Sequence, residues 1–80
     1  MSASGRRRSL PPCPERARLR KAAGLTLSEM AVYVQAHRTS ITEWEAGRVE
    51  PLGQTRERYA RVLHALAAAE RPEAQTVPLL

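Results

Sequence analysis

The chain has 80 residues, 42% of them hydrophobic, with one Trp, two Tyr and no Phe. At that length only one small core can form, which leaves little room for a large enzyme pocket. Thirteen Lys and Arg against eight Asp and Glu give a net charge of +5. The single cysteine, Cys13, can make neither an internal disulfide nor a zinc site, which fits a reducing cytosol. No apolar run approaches the ~20 residues that span a bilayer. No hydrophobic stretch follows Arg6, Arg7 and Arg8, as it would in a signal peptide. The expected location is the cytoplasm, with no membrane partner.

Charge is concentrated at one end. Residues 1–21 carry a net +6 and the remainder a net −1. Such a distribution suits a polyanion reached by an N-terminal arm. Arg6, Arg7 and Arg8 read equally well as a solubilising tail or a vector remnant ahead of Leu10.

In chain order, residues 1–13 are rich in Ser, Arg and Pro and are expected to form a disordered basic arm. Pro14 suits the first turn of a helix, where its missing N–H has no cost, and Glu15 to Ala23 are good helix formers stopped by Gly24. Thr26-Leu27-Ser28-Glu29 is a capping-box pattern that satisfies two orphan amides at a helix start. Met30, Ala31 and Val34 then share one face, so this helix should run to about Val34 or Gln35. Ile41 and Trp44 recur three apart, Gly47 ends their segment and Pro51 lies beyond. The strongest amphipathic pattern is the last: Tyr59, Val62, Leu63, Leu66 and Ala67 form a stripe opposite Arg56, Arg58 and Arg61. It predicts a helix from about Thr55 to Ala69. Residues 71–80, with Pro72 and Pro78, read as a flexible tail whose Val77, Leu79 and Leu80 can dock on a neighbour. No strand signal stands out. The expected fold is all-α, with residues 14–70 as the folded unit.

Two short helices with a tight turn between them, from Leu27 to Ala46, have the spacing of a helix-turn-helix. Met30 and Val34 should face Ile41 and Trp44; Ala31 must be small where the backbones cross, and Ala36 closes the wedge. His37, Arg38, Thr39, Thr42 and Glu43 are then left pointing outward.

On those residues the chain resembles a known family. Gly24-Leu25-Thr26-Leu27-Ser28-Glu29-Met30-Ala31, Arg38-Thr39-Ser40-Ile41-Thr42-Glu43-Trp44-Glu45-Ala46-Gly47 and Pro51 are similar to the Cro/C1-type helix-turn-helix, from about Arg16 to Leu66. The resemblance implies a compact lambda-repressor-like bundle of four to five helices. It also implies a second motif helix that enters the DNA major groove with its N-terminal residues on base edges. Arg20 and Glu45 match the family's buried structural pair. Three positions depart from the pattern. Leu27 replaces a Gln that meets phosphate. Gln35 replaces a turn Gly and must accept an adjusted backbone. Arg16 replaces an apolar residue, so that the first helix frays or Leu10 folds back over it.

The implied roles have competing readings. Arg38 can pair with guanine O6 and N7, against a plain solvated arginine. Thr39 can touch a thymine methyl, and is a better base reader than Thr42, which can merely fill a helix face or meet phosphate. Glu43 can accept from cytosine N4, yet it repels phosphate and can instead pair with Arg38 or Arg48. Ser40 and His37 can contact phosphate or help shape the helix start, His37 then bringing pH sensitivity. Arg48 can reach the backbone or sit solvated in its loop. Trp44 reads as core rather than as a stacking platform, and Tyr59 as the edge of the core.

His37, His64 and Cys13 are isolated, and neither a phosphate-binding glycine loop nor metal-ligand spacing occurs. No enzyme activity, cofactor or metal is expected. The expected function is sequence-specific double-stranded DNA binding as a homodimer, by a small repressor that occludes a promoter. Rival readings are a protein-interaction or antitoxin-like module on a helix-turn-helix scaffold, with a protein partner, and an architectural or excision-type DNA factor. High Ala and Arg content with no Phe points to a GC-rich bacterial or phage genome.

Overall fold

A computed structural model describes residues 9–70; the Arg6, Arg7 and Arg8 arm and the tail residues Val77, Leu79 and Leu80 lie outside the described residues. Four helices follow in order: α1 (Cys13–Ala22), α2 (Leu27–Val34), α3 (Arg38–Ala46) and α4 (Gly53–Ala69). Among the described residues there is no strand, so the all-α expectation holds with four helices. None of these helices is long and apolar enough to cross a membrane.

The helix ends follow local chemistry. Pro12 is the N-cap residue of α1, at φ −58° and ψ 154°, and Cys13 precedes Pro14 in the first turn, so the helix starts one residue ahead of Pro14, the residue expected in that turn. Orphan N–H groups in a first turn make both proline positions harmless. Glu15 at its start and Arg20 and Lys21 at its end complement the helix dipole. Thr26 and Glu29 form the capping box of α2, with Thr26 Oγ1 accepting from the Glu29 N–H at 3.0 Å and Glu29 Oε1 accepting from the Thr26 N–H at 2.8 Å. Gln35 then ends α2 in the left-handed region, at φ 63° and ψ 50°. That conformation costs a side-chain-bearing residue about 1–2 kcal/mol. The α2 terminus is held by a long-range contact: Arg58 Nε donates to the Val34 carbonyl at 2.8 Å. Arg58, expected on the solvated face of α4, therefore folds inward as a cap. The start of α4 also differs from expectation, at Gly53 rather than Thr55, because Leu52 takes an extended N-cap conformation without any side-chain cap.

Leu19, Met30, Ala31, Val34, Ile41, Trp44, Tyr59 and Leu63 form the core. Each fully buried large apolar side chain contributes roughly 1.5–3 kcal/mol. Val62, Leu66 and Ala67 of the α4 stripe are only partly buried against it, as is Leu10. Residues 9–12, expected within the arm, are thus tied to the fold. Tyr59, expected at the core edge, is at its centre, 0% exposed and with its ring 4.8 Å from that of Trp44. Its hydroxyl has no hydrogen-bond partner among the described residues. Burial, and next the Glu45 charge, push that hydroxyl's pKa above the ordinary tyrosine range.

Two arginines of α1 reach α3. Arg20 grips Glu45 in a bidentate pair, Nε to Oε2 at 2.6 Å and Nη2 to Oε1 at 3.0 Å, while Nη1 donates to the Leu25 carbonyl at 2.9 Å. Both side chains are about 90% covered, at 10% and 11% exposure. Arg16, one helical turn earlier, is also buried, and its guanidinium donates to Pro11, Trp44 and Glu50. The polar residue at this apolar family position does not fray α1. It anchors the helix instead.

Two stability outcomes follow from this packing. Tyr59→Phe removes an unpaired buried hydroxyl without changing ring volume, so it should leave stability unchanged or raise it by about 1 kcal/mol in urea unfolding. Arg20→Met leaves Glu45 buried without its cation and should cost about 3–5 kcal/mol in the same measurement.

Candidate nucleic-acid interface

Helix α3 has nine residues and two different sides. Ile41 and Trp44 face the core. Arg38, Thr39 and Thr42 are exposed, while Ser40 and Glu43 are half-buried. Arg38 with Thr42, and Thr39 with Glu43, are i,i+4 pairs, so the four lie together as one outward strip. Among the described residues no side-chain hydrogen bond holds Arg38, Thr39 or Ser40. Thr42 Oγ1 donates to the Arg38 carbonyl at 3.1 Å, which commits its proton to the helix but leaves its lone pairs and methyl outward.

The ends of α3 set where this strip sits. At the start, His37 is an exposed N-cap residue in extended conformation with no side-chain cap, so the first-turn amides point outward unshielded. At the end, Gly47 takes φ 79° and the Arg48 N–H turns back to the Glu43 carbonyl at 3.1 Å. The positive φ favours glycine there, and a Cβ on Gly47 would in addition sit 3.1 Å from Cys13 Sγ, a tight contact to which the Cys13 side chain would have to yield. This turn brings the Arg48 side chain onto Glu43, Nε to Oε1 at 2.9 Å and Nη2 to Oε2 at 3.2 Å. The Arg48 hydrogen bond holds the Glu43 carboxyl below its ordinary range and in return raises Arg48. Of the two partners open to Glu43, it is Arg48 and not Arg38 that takes the carboxylate.

The sequence-derived candidates among the described residues fall into three groups. Arg38, Thr39, Thr42 and Glu43 share the strip, with Arg48 attached at its far end. His37 and Ser40 stand at the other end, lining a recess with Leu52 and Thr55. Arg20 and Glu45 lie beneath, on the core side. Arg6, Arg7 and Arg8 lie outside the described residues.

Sequence reasoning missed the recess. The start of α4, at Leu52 and Thr55, opens beside the start of α3, so two helix N-termini without side-chain caps meet in one concavity. Both present partial positive charge there, offset by the Glu50 carboxylate, which lines the same recess and pairs with Arg16. The sequence signal nearest to it is Pro51, which lines the recess in the loop between α3 and α4.

A helix-turn-helix family model matches residues 17–66 of the chain. No curated protein and no solved structure matches it. The matched span covers α2, the turn at Gln35, α3 and most of α4, and includes the Arg20–Glu45 pair described above. The chain therefore belongs to the Cro/C1-type helix-turn-helix family, a family of DNA-binding regulators.

Proposed function

We propose that this chain is a sequence-specific regulator of transcription, a small repressor that occludes a promoter by seating α3 in the major groove of duplex DNA. The observation that carries this reading is the outward strip on α3, whose Arg38 and Thr39 side chains are uncommitted while the helix behind them is fixed by the core and by Arg20. Arg38 pairs with guanine, Thr39 packs on a thymine methyl, and Glu43 discriminates by accepting from cytosine N4. His37, Ser40 and Thr42, with the unshielded amides at the starts of α3 and α4, meet phosphates, and Arg48 joins them once it leaves Glu43. Arg6, Arg7 and Arg8 add phosphate or minor-groove contacts.

A single nine-residue helix offers little affinity, so the chain acts as a homodimer on half-sites about 34 Å apart. The exposed apolar face best suited to a second copy is a groove of about 490 Å³ where Tyr33 and Leu25 meet Val62 and Leu66 of the last helix. The site of action is the bacterial or phage-infected cytoplasm. The protein-interaction reading keeps one specific support: Val32 is 74% exposed on α2 and lies outside the groove assigned to a second copy.

Binding to a duplex should weaken steeply between roughly 50 and 200 mM salt, with a slope near 0.9 per phosphate neutralised. A flat response in a fluorescence-anisotropy titration contradicts duplex binding. Arg38→Ala should cost about 1–3 kcal/mol on the selected site and relax one base position. An unchanged site preference removes Arg38 from the reading role. Glu43→Gln removes a negative charge from the DNA face and releases Arg48, so it should raise affinity for unrelated duplexes while lowering discrimination for cytosine. Weaker binding to unrelated duplexes would contradict that assignment.

A further inference from the structure

Among the described residues one side chain other than glycine stands at positive φ: Gln35, at φ 63° and ψ 50° between α2 and α3. The other left-handed positions, Gly24, Gly47 and Gly53, all carry glycine. The turn needs this conformation but not this side chain. Its backbone closes by itself, with the Gln35 N–H donating to the Val32 carbonyl at 3.2 Å and the Ala36 N–H to the Ala31 carbonyl at 3.0 Å. Arg58 of α4 holds the neighbouring Val34 carbonyl. Glycine would take the same conformation without strain.

Nothing inside the fold uses the Gln35 side chain. It is exposed, and among the described residues no hydrogen bond holds its carboxamide. It lines the recess at the start of α3 together with His37, Ser40 and Thr55. Ser40 and Thr55 are short and half-buried, whereas Gln35 is long and exposed. Glu50, the one carboxylate lining this recess, is paired with Arg16, and a neutral amide donor beside it adds no charge to be balanced. Gln35 also stands ahead of the N-cap His37, off the outward strip of α3. When a recognition helix enters the major groove, the helix before it crosses the sugar–phosphate backbone, so a side chain at the junction of the two faces phosphate rather than base edges.

We propose that Gln35 is a further DNA-contacting residue, whose carboxamide N–H donates to a backbone phosphate at the edge of the groove that α3 enters. This rests on the DNA-binding reading given above and adds to it a contact in the turn itself. The strained backbone is retained with a side chain because that side chain acts on the duplex, where it fixes register without reading sequence.

The test compares the full chain with Gln35→Gly and Gln35→Ala, by fluorescence anisotropy on a duplex selected from a random pool and on an unrelated duplex, and by urea unfolding. Both substitutions remove the amide, but glycine relieves the left-handed strain and alanine keeps it. The urea midpoint should therefore hold or rise in Gln35→Gly and should not rise in Gln35→Ala. Affinity should nevertheless fall about tenfold in both variants and on both duplexes, the loss expected of one hydrogen bond to a charged acceptor. Gln35→Gly binding as tightly as the wild type overturns the proposal and leaves the α3 reading intact. Unequal losses in the two variants overturn it as well, since a residue that acts through the shape of the turn follows the backbone change and not the missing amide. A loss confined to the selected duplex identifies a base contact and overturns the phosphate assignment. A wild-type chain that binds neither duplex overturns the DNA-binding reading together with the proposal, before any variant is compared.

Discussion

A nine-residue helix cannot hold itself in water, since isolated helices shorter than about 12–15 residues are marginal even with favourable sequences. Helix α3 exists in one orientation because α1 grips it from behind. The Arg20–Glu45 pair is the constraint on which the remainder depends: it fixes the rotation of α3, and therefore which residues face outward. Its charges are covered on both sides, so its geometry is not diluted by solvent. The same guanidinium also takes the Leu25 carbonyl, which links the pair to the segment that starts α2. One side chain thereby sets α1, the entry to α2 and the rotation of α3 together.

With α3 fixed, its outer strip carries a mixed charge rather than a purely basic one. Glu43 sits between Thr39 and Arg48 and is already paired, so the free strip is less attractive to polyanions than a count of its arginines suggests. In the proposed reading, general attraction falls to the starts of α3 and α4 and to the N-terminal arginines, and the strip supplies selectivity. Separating the two tasks is consistent with how phosphate contacts position a protein and base contacts specify its site. The pairing also sets a sign for pH. Arg48 holds the Glu43 carboxyl below its ordinary range, so this pair's contribution is present above the unfolded carboxylate pKa and is lost as pH falls through the lowered one.

Much of this was legible from the sequence where the signal is local. The capping box at Thr26 and Glu29, the stop at Gly47, and the inward pair Ile41 and Trp44 each depend on residues within one or two turns, and the structure has all three. The left-handed Gln35 was legible too, as a side chain where the family has Gly. What was not legible is long-range. Arg16 and Arg58 are charged residues whose default place is solvent, and only the folded approach of Trp44, Glu50 and Val34 gives their donors a reason to turn inward. The Tyr59 hydroxyl predicts a wet core edge, whereas in the fold Trp44 packs on the ring and the side chain is fully buried. The start of α4 was misplaced because Leu52 is not a capping residue type, so Thr55 looked like the better start.

In the proposed function the outward strip of α3 reads base sequence in duplex DNA. The most direct measurement is selection of bound duplexes from a random pool at moderate salt, followed by sequencing. Reading by α3 in a homodimer should enrich an inverted repeat whose half-sites lie about one helical turn apart. Retention without any enriched sequence, or no retention at all, would contradict it.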